Sequence, residues 1–286
     1  MSDLWYPEKP PEKAPEAELD FTNLPIEVAI KNIDDVSPEE FTLSRREGFG
    51  GSDAGVLLGV NPYTNIQELV KQKASRTLSE EELAVRNNIA VMKGNDLEPL
   101  IIQKATKMLG FNIIKPKDSY VFKEFPYLRM NFDGVAGTAG NYFPIEIKVV
   151  TKSGERHYKR AKACYVERVG FRQPQVLEWD ENSINTIETK AAMVGIPPYY
   201  YAQVQQEMMA LNAPYGYLAA LEETSWTVFI YFIPRDAAVQ RAIKLQGWKY
   251  WNQVEELRNQ NGYYDALTEE VEPDEHHQTG RDGDPI

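Results

Sequence analysis

Residues 131–148 read NFDGVAGTAGNYFPIEIK, in which two apolar runs flank a loop rich in glycine. Such runs, separated by a few residues that include glycine, predict a β-hairpin. Side chains two apart on a strand point to the same face, so Glu146 and Lys148 are expected to lie side by side. Asp133, thirteen residues before Glu146, is expected on the neighbouring strand within reach of both. The hairpin therefore predicts a cluster of two carboxylates and one lysine.

Two carboxylates beside a lysine suit a divalent metal ion. Oxygen ligands from aspartate and glutamate favour Mg²⁺ or Mn²⁺, and such an ion polarises a phosphate and acidifies a bound water. A nearby lysine can orient that water or assist its deprotonation. Asp133, Glu146 and Lys148 therefore indicate phosphodiester hydrolysis. Taken alone, the same triple also fits charged side chains on a solvated strand face.

Two capping boxes predict helix starts before the hairpin. Ser79 with Glu82 opens one helix, which is expected to end near Gly94. Asn95 with Glu98 opens the next, and the proline that follows Glu98 falls in the first turn, where it costs no hydrogen bond. As the third helical residue, Glu98 is also explained as a group that only satisfies backbone amides.

The rest of the chain alternates strands and helices. We expect strands over 119–125, 128–135, 142–150, 216–222 and 226–233, and helices over 198–211 and 235–259. Helices flanking a mixed central β-sheet make an α/β fold of one domain, expected over 41–262.

The formal net charge of −12 is concentrated at the two ends of the chain. Residues 1–40 carry eleven acidic and three basic side chains, and residues 263–286 carry eight and one. The part between them, 41–262, therefore has a charge of +3. We expect 1–40 to form a Pro- and Glu-rich acidic arm and 263–286 to form a disordered acidic tail. The whole-chain charge thus does not exclude a DNA substrate.

A basic cluster lies at the start of the segment 151–197. Its members include Lys152, Arg156, Lys159 and Arg160. Clustered cations of this kind form an electrostatic footprint for phosphate, and a solvated charged face is the alternative.

Cys164 is the only cysteine, so the chain has no internal disulfide, which is typical of a reducing cytoplasm. No run of eighteen apolar residues is present, and the N-terminus lacks the basic start and apolar stretch of a secretory signal. We therefore expect a cytoplasmic protein without a membrane span.

Arg45 precedes Ser52 by seven residues across a turn rich in glycine. Such a turn before a helix presents free amides to an anion, and arginine adds a two-pronged donor, so the pair predicts a phosphate pocket. A simple helix cap by Ser52 or Asp53 is the alternative. Farther along, Gln203 and Gln205 offer amide side chains on the helix 198–211, unless they are ordinary surface glutamines.

Five ordered blocks resemble the YqaJ-like phage recombination nucleases, relatives of lambda exonuclease in the PD-(D/E)xK superfamily. The blocks are Arg45 with Gly50-Gly51-Ser52-Asp53, Gly94 with Glu98-Pro99, Asp133-Gly134, Glu146-Ile147-Lys148 and Ala202-Gln203-Val204-Gln205. The resemblance covers roughly 45–235. Two departures are Phe132, where the superfamily name has proline, and the segment 151–197, longer than in lambda exonuclease, which either guides DNA or alters substrate choice.

The resemblance implies a restriction-endonuclease-like core and a function in phage recombination. It implies 5′→3′ digestion of linear double-stranded DNA in a bacterial host, which leaves 3′ overhangs for strand annealing. Two Mg²⁺ ions, which Mn²⁺ can replace, a ring-shaped homotrimer and a single-strand annealing partner are implied as well. An endonuclease or single-strand nuclease of the same superfamily is one alternative, and a non-catalytic DNA-end-binding module is another.

The resemblance also assigns roles to individual residues. It implies that metal is bound by Glu98, Asp133, Glu146 and the main-chain carbonyl of Ile147. It places Lys148 at the attacking water, with support from Gln205. It assigns binding of the 5′-phosphate to Arg45 and Ser52.

Overall fold

The computed structural model describes residues 19–80, 82, 89–138, 140–172 and 186–263. The first eighteen residues of the predicted arm, and the predicted tail apart from Tyr263, lie outside these ranges. The strands are β1 (Ile26–Ile30), β2 (Ser119–Phe122), β3 (Arg129–Met130), β4 (Val135–Thr138), β5 (Asn141–Val150), β6 (Tyr165–Val166), β7 (Gly170–Phe171), β8 (Tyr215–Glu222) and β9 (Thr227–Pro234). The helices are α1 (Pro38–Ser44), α2 (Ala54–Leu57), α3 (Ile66–Ala74), α4 (Ile89–Leu109), α5 (Ile187–Val194), α6 (Pro198–Leu211) and α7 (Ala237–Gln260).

The main sheet has six strands in the order β4-β5-β8-β9-β6-β7. β5 and β8 run parallel, and the other neighbours run antiparallel, so the sheet is mixed. α4 and α6 both pack against β5. The prediction of an α/β fold with a mixed sheet flanked by helices is therefore confirmed.

The predicted hairpin forms, but its first strand is shorter than expected. β4 pairs with β5 from Val135 opposite Pro144 to Thr138 opposite Asn141. The expected strand over 128–135 is interrupted, because β3 pairs with β2 in a separate three-stranded sheet. Asp133 therefore lies in a bend just before β4 rather than on the strand itself. Gly134 permits this close approach, since a Cβ there would lie 2.7 Å from Ile113 Cγ2.

The predicted helix boundary at Gly94 and Asn95 is wrong. α4 runs without interruption through Gly94 and contains Pro99 in its interior. Proline at that position removes one helical hydrogen bond and crowds the preceding turn. The helix continues nevertheless because Ile101 and Ala105 are fully buried beyond the proline. Burial of this apolar face outweighs the local preference for a break.

The other predicted capping box is present. The Ser79 amide donates to Glu82 Oε2 over 2.8 Å, and the Glu82 amide donates to Ser79 Oγ over 3.2 Å.

The chain before residue 40 contributes to the fold from residue 19 onward. β1 pairs antiparallel with β2, and Ile26 is buried in this small sheet. α1 begins at a capping box formed by Ser37 and Glu40.

The segment 151–197 also builds part of the main sheet. β6 pairs with β9, and β7 pairs with β6 at the edge. Cys164, just before β6, is buried, and its thiol donates to the carbonyl of Ile230. None of the described helices combines the length and the apolar character needed to cross a membrane.

Candidate active site

Asp133, Glu146 and Lys148 lie together where the hairpin meets α6. The main-chain amide of Ile147 donates to Asp133 Oδ2 over 3.1 Å, which holds the bend against β5. Lys148 Nζ forms an ion pair with Glu146 Oε1 and lies 4.0 Å from Asp133 Oδ2. The ring of Tyr200, on α6, lies beneath the ammonium group, with its centroid 5.1 Å from Nζ. The structure therefore assembles the predicted triple, although Asp133 precedes the strand.

Burial and the neighbouring charges together shift the pKa values of this cluster. Glu146 is 1 % exposed. Desolvation and the neighbouring Asp133 raise the pKa of Glu146 to about 7, against the opposing effect of Lys148. Burial alone would lower the pKa of Lys148, but the two carboxylates outweigh it and raise the pKa above its usual range. Lys148 is therefore a cation at neutral pH.

A third acidic residue of this cluster, Glu207, was not identified from the sequence. It is fully buried on α6 and interacts electrostatically with Glu146. Desolvation and the nearby Glu146 raise the pKa of Glu207 well above its usual range. Its spacing of four residues from Gln203 places both on one helical face, which is the sequence signal that could have identified it.

The two glutamines of α6 have different positions. Gln203 donates from Nε2 to Glu146 Oε1 over 2.6 Å. Gln205 faces away, donates to the carbonyl of Pro234 and accepts from the amide of Asp236. The structure therefore does not bring Gln205 to the cluster. Successive helical residues are about 100° apart, so Gln203 and Gln205 point in nearly opposite directions.

A cleft of about 360 Å³ joins this cluster to Glu98. The Glu98 carboxylate is held by Lys115, with Nζ 2.6 Å from Oε1. In the described part of the chain, no three Asp, Glu, His or Cys side chains are arranged to share one ion. Glu98 thus lines the cleft without joining the Asp133 and Glu146 pair.

The donor chemistry of the pair fits a hard divalent cation. Glu146 Oε2 is buried and has no hydrogen-bond partner among the described residues, and Asp133 lines the same cleft. A buried carboxylate oxygen without a partner is costly unless a cation or water completes its contacts.

The predicted phosphate pair lies in the same cleft. Arg45 Nη2 donates to Ser52 Oγ over 3.1 Å, and both side chains are exposed to solvent. Behind them, Lys73 Nζ donates to the carbonyl of Arg45 over 2.7 Å and lies 2.7 Å from Asp53 Oδ2. Asp53 in turn accepts from the amide of Gly50 over 2.9 Å. The turn that carries Arg45 and Ser52 is therefore fixed by a buried lysine.

The basic cluster is smaller than the sequence indicates. Arg160 Nε donates to Glu222 Oε1 over 2.6 Å, and Arg160 Nη2 lies 3.1 Å from Glu155 Oε2. Its charge is therefore balanced by two carboxylates within the protein, and its contact with DNA stays a prediction. Arg156 donates from Nε to His157 over 3.2 Å, and Lys152 and Lys159 are exposed.

Comparison with solved structures defines the class of fold. An alkaline exonuclease, LHK-Exo from Laribacter hongkongensis, aligns with a TM-score of 0.51 and 16 % identity over 80 % of this chain and 99 % of that one. LHK-Exo in complex with dAMP aligns with a TM-score of 0.51 and 15 % identity over the same shares of both chains. A phage-related exonuclease from Haemophilus somnus 129PT gives a TM-score of only 0.39, with 14 % identity over 79 % of this chain and 96 % of that one. No protein of curated function matches the chain in sequence.

The family follows from the sequence itself. The sequence model of the YqaJ-like viral recombinase domain family matches residues 40–213, which is more than half of the chain. The chain therefore belongs to the YqaJ-like viral recombinase domain family, and the resemblance drawn from its five blocks is confirmed.

Proposed function

We propose that this protein is a metal-dependent exonuclease that digests linear double-stranded DNA from its 5′ ends and leaves 3′ single strands for recombination. One observation carries the proposal: a single cleft contains the Asp133, Glu146 and Lys148 cluster together with the Arg45 and Ser52 pair. A hydrolytic cluster alone suits any phosphodiesterase. A second anion-binding pair in the same cleft gives the terminal phosphate of a DNA strand a separate place to bind.

Mg²⁺, or Mn²⁺ in its place, is the proposed cofactor. Asp133 and Glu146 would hold it, and the Ile147 carbonyl, Glu98 and a second ion complete the set that the family resemblance implies. Bound there, the ion supplies a polarised phosphate and a more acidic water. Recruitment of Glu98 requires its carboxylate to exchange the contact with Lys115.

The protein's own groups have distinct tasks in this proposal. Lys148 is a cation beside both carboxylates, and it orients the attacking water and donates a hydrogen bond to the scissile phosphate. Gln203 holds the Glu146 carboxylate from α6, whereas Gln205, which the resemblance places in support of the attacking water, donates to the carbonyl of Pro234 instead. Groups that act on the transition state in this way require fixed positions. Glu146 and Lys148 are fixed by the paired strand β5, and Gln203 is fixed by the helix α6.

Arg45 and Ser52 are the proposed readers of the 5′-phosphate. The guanidinium offers several donors in a planar fork that matches a phosphate, and the Ser52 hydroxyl adds one more. Their existing hydrogen bond keeps both donors at one point of the cleft. Lys152 and Lys159 are proposed to contact the DNA backbone outside it.

The comparisons support a nuclease of this kind. The chain belongs to a family described as a viral recombinase domain. LHK-Exo, which has a similar fold, is described as an alkaline exonuclease. A ring-shaped homotrimer and a single-strand annealing partner are further proposals, which derive from the family resemblance.

The proposed activity is tested by incubating 5′-phosphorylated linear duplex and covalently closed circular duplex with the protein and Mg²⁺. We expect release of nucleotides from the linear DNA only, and complete inhibition by EDTA. Cutting of the circle would establish an endonuclease, and preferential digestion of single-stranded DNA would establish a single-strand nuclease. Binding without digestion would leave a DNA-end-binding module.

A further inference from the structure

Three tyrosines form a row that leads from the active site to the protein surface. Tyr200 lies beneath Lys148, and the centroids of the Tyr199 and Tyr200 rings are 4.4 Å apart. The Tyr63 ring lies 5.8 Å from that of Tyr199 at an interplanar angle of 77°. Tyr63 is 77 % exposed. None of the three lines the cleft described above, so the row extends the site outward from Lys148.

The row is held in place by its surroundings. Tyr199 packs directly on α2, where a Cβ on Gly55 would lie 2.6 Å from the Tyr199 Cβ. Side-chain hydrogen bonds join Tyr199 to Tyr63 and to Tyr200. The loop that carries Tyr63 is fixed by its own amide, which donates to Asn61 Oδ1 over 2.8 Å. An aromatic ring held this way loses little conformational entropy when a ligand stacks on it.

The Tyr63 ring at the exposed end of the row contributes little to the packing of the core. A ring that is mostly in solvent fills no core volume, and its removal leaves no cavity. A large exposed aromatic beside an active site is instead a contact surface for an apolar, flat ligand.

A lysine adds positive charge near the start of α6, the helix that carries Tyr199 and Tyr200. Lys159 is exposed, and its amide donates to the carbonyl of Gly195 over 2.8 Å, just before the start of α6. The preceding residue, Tyr158, is partly buried and interacts electrostatically with both Tyr199 and Tyr200. Aromatic faces beside a cation match the alternation of base and phosphate along an unpaired nucleic acid strand.

We propose that Tyr63 and Tyr199 bind unpaired bases of single-stranded DNA next to the scissile phosphate. The bases stack on the aromatic rings, and Lys159 contacts the backbone. A base in a duplex is covered on both faces by its neighbours, so the row accepts only nucleotides that have left the helix. The proposal rests on the proposed function for the placement of the strand next to a reacting phosphate.

The row is tested by the affinity of a fluorescent oligothymidylate for the full-length protein in EDTA, which prevents cleavage. Stacking on an aromatic contributes appreciably for each base, so we expect Tyr63→Ala to weaken binding about ten-fold. Tyr63→Phe keeps the ring and should bind like the wild type. Trp248→Ala, a change of another exposed aromatic on α7, is the matched control and should also bind like the wild type.

Thermal unfolding of each variant separates loss of the ring from loss of the fold. Wild-type affinity in a folded Tyr63→Ala variant would overturn the proposal, as would an equal loss in Tyr63→Phe. An equal loss of affinity for blunt duplex would overturn it too, since the row would then bind duplex DNA.

Digestion of linear duplex by the wild type in Mg²⁺ distinguishes failure of the row from failure of the proposed function. If the wild type digests linear duplex and Tyr63→Ala leaves the oligothymidylate affinity unchanged, only the proposed binding of bases by the tyrosines is refuted. If Tyr63→Ala weakens oligothymidylate binding but the wild type does not digest linear duplex, only the proposed exonuclease activity is refuted.

Discussion

Gln203 donates a hydrogen bond of 2.6 Å to the Glu146 carboxylate, and so couples α6 to the strand that carries the candidate catalytic residues. The other oxygen of Glu146 is buried and has no partner among the described residues. One oxygen of this carboxylate is thus fixed by the protein, and the other is available to a cation. The arrangement orients the group before any ligand binds.

Replacement of the two glutamines should separate catalysis from stability. We expect Gln203→Met to lower kcat on linear duplex about 10–100-fold, the usual cost of removing a group that orients a metal ligand. Gln205→Met should leave kcat near the wild-type value but lower Tm, because it leaves the buried amide of Asp236 without its acceptor. A larger loss of kcat in the Gln205 variant would reverse the assignment.

Lys73 should control the preference for 5′-phosphorylated ends without touching DNA. Its buried ammonium holds both the carbonyl of Arg45 and the carboxylate of Asp53. We expect Lys73→Met to reduce the ratio of kcat/KM between 5′-phosphate and 5′-hydroxyl ends about ten-fold, at a cost in stability of about 3–5 kcal/mol. Arg45→Met should abolish the ratio with little loss of stability.

Lys104→Met is the matched control for Lys73. It breaks an ion pair with Glu167 that lies outside the cleft, so it should lower stability modestly and leave the end preference unchanged. Retention of the full preference by Lys73→Met would show that the turn needs no support from the lysine.

Glu82 should make stability depend on pH in the acid range. Partial burial raises its pKa, but hydrogen bonds from Ser79, Gln72 and Arg46 outweigh that effect and lower the pKa to about 2. A carboxyl group with a lowered pKa in the folded state stabilises fully above its unfolded value of 4.5, and this contribution is lost as the pH falls towards 2. The stability difference between wild type and Glu82→Gln should be about 1–2 kcal/mol at pH 7, after allowance for solvent screening, and should shrink below pH 4.5. A constant difference across this range would contradict the assignment.

Local signals in the sequence predict the hairpin, the capping box at Ser79 and the helix α6. Each depends on residues close in the chain, so turn chemistry and periodicity suffice. The false helix end at Gly94 has the opposite cause. Burial of Ile101 and Ala105 against distant strands keeps α4 intact across Pro99, and no local pattern records that packing.

The site was predictable in its residue types but not in its final contacts. The choice between Gln203 and Gln205 depends on how α6 is rotated over the sheet, which is a tertiary property. Glu207 was missed because an acidic residue within a helix is ordinarily solvated, whereas this one is buried against Glu146. The pairing of Arg160 with Glu222 was not predictable because the two residues lie 62 positions apart in the sequence.

The most direct test of the central claim is the rate at which wild-type protein and Lys148→Ala release nucleotides from 5′-phosphorylated linear duplex in Mg²⁺. Circular dichroism is used to bring both proteins to the same folded concentration. Lys148 forms the ion pair with Glu146 and lies 4.0 Å from Asp133, so its removal should abolish digestion, while DNA binding in EDTA persists. Digestion by Lys148→Ala at the wild-type rate would contradict a catalytic role for this cleft.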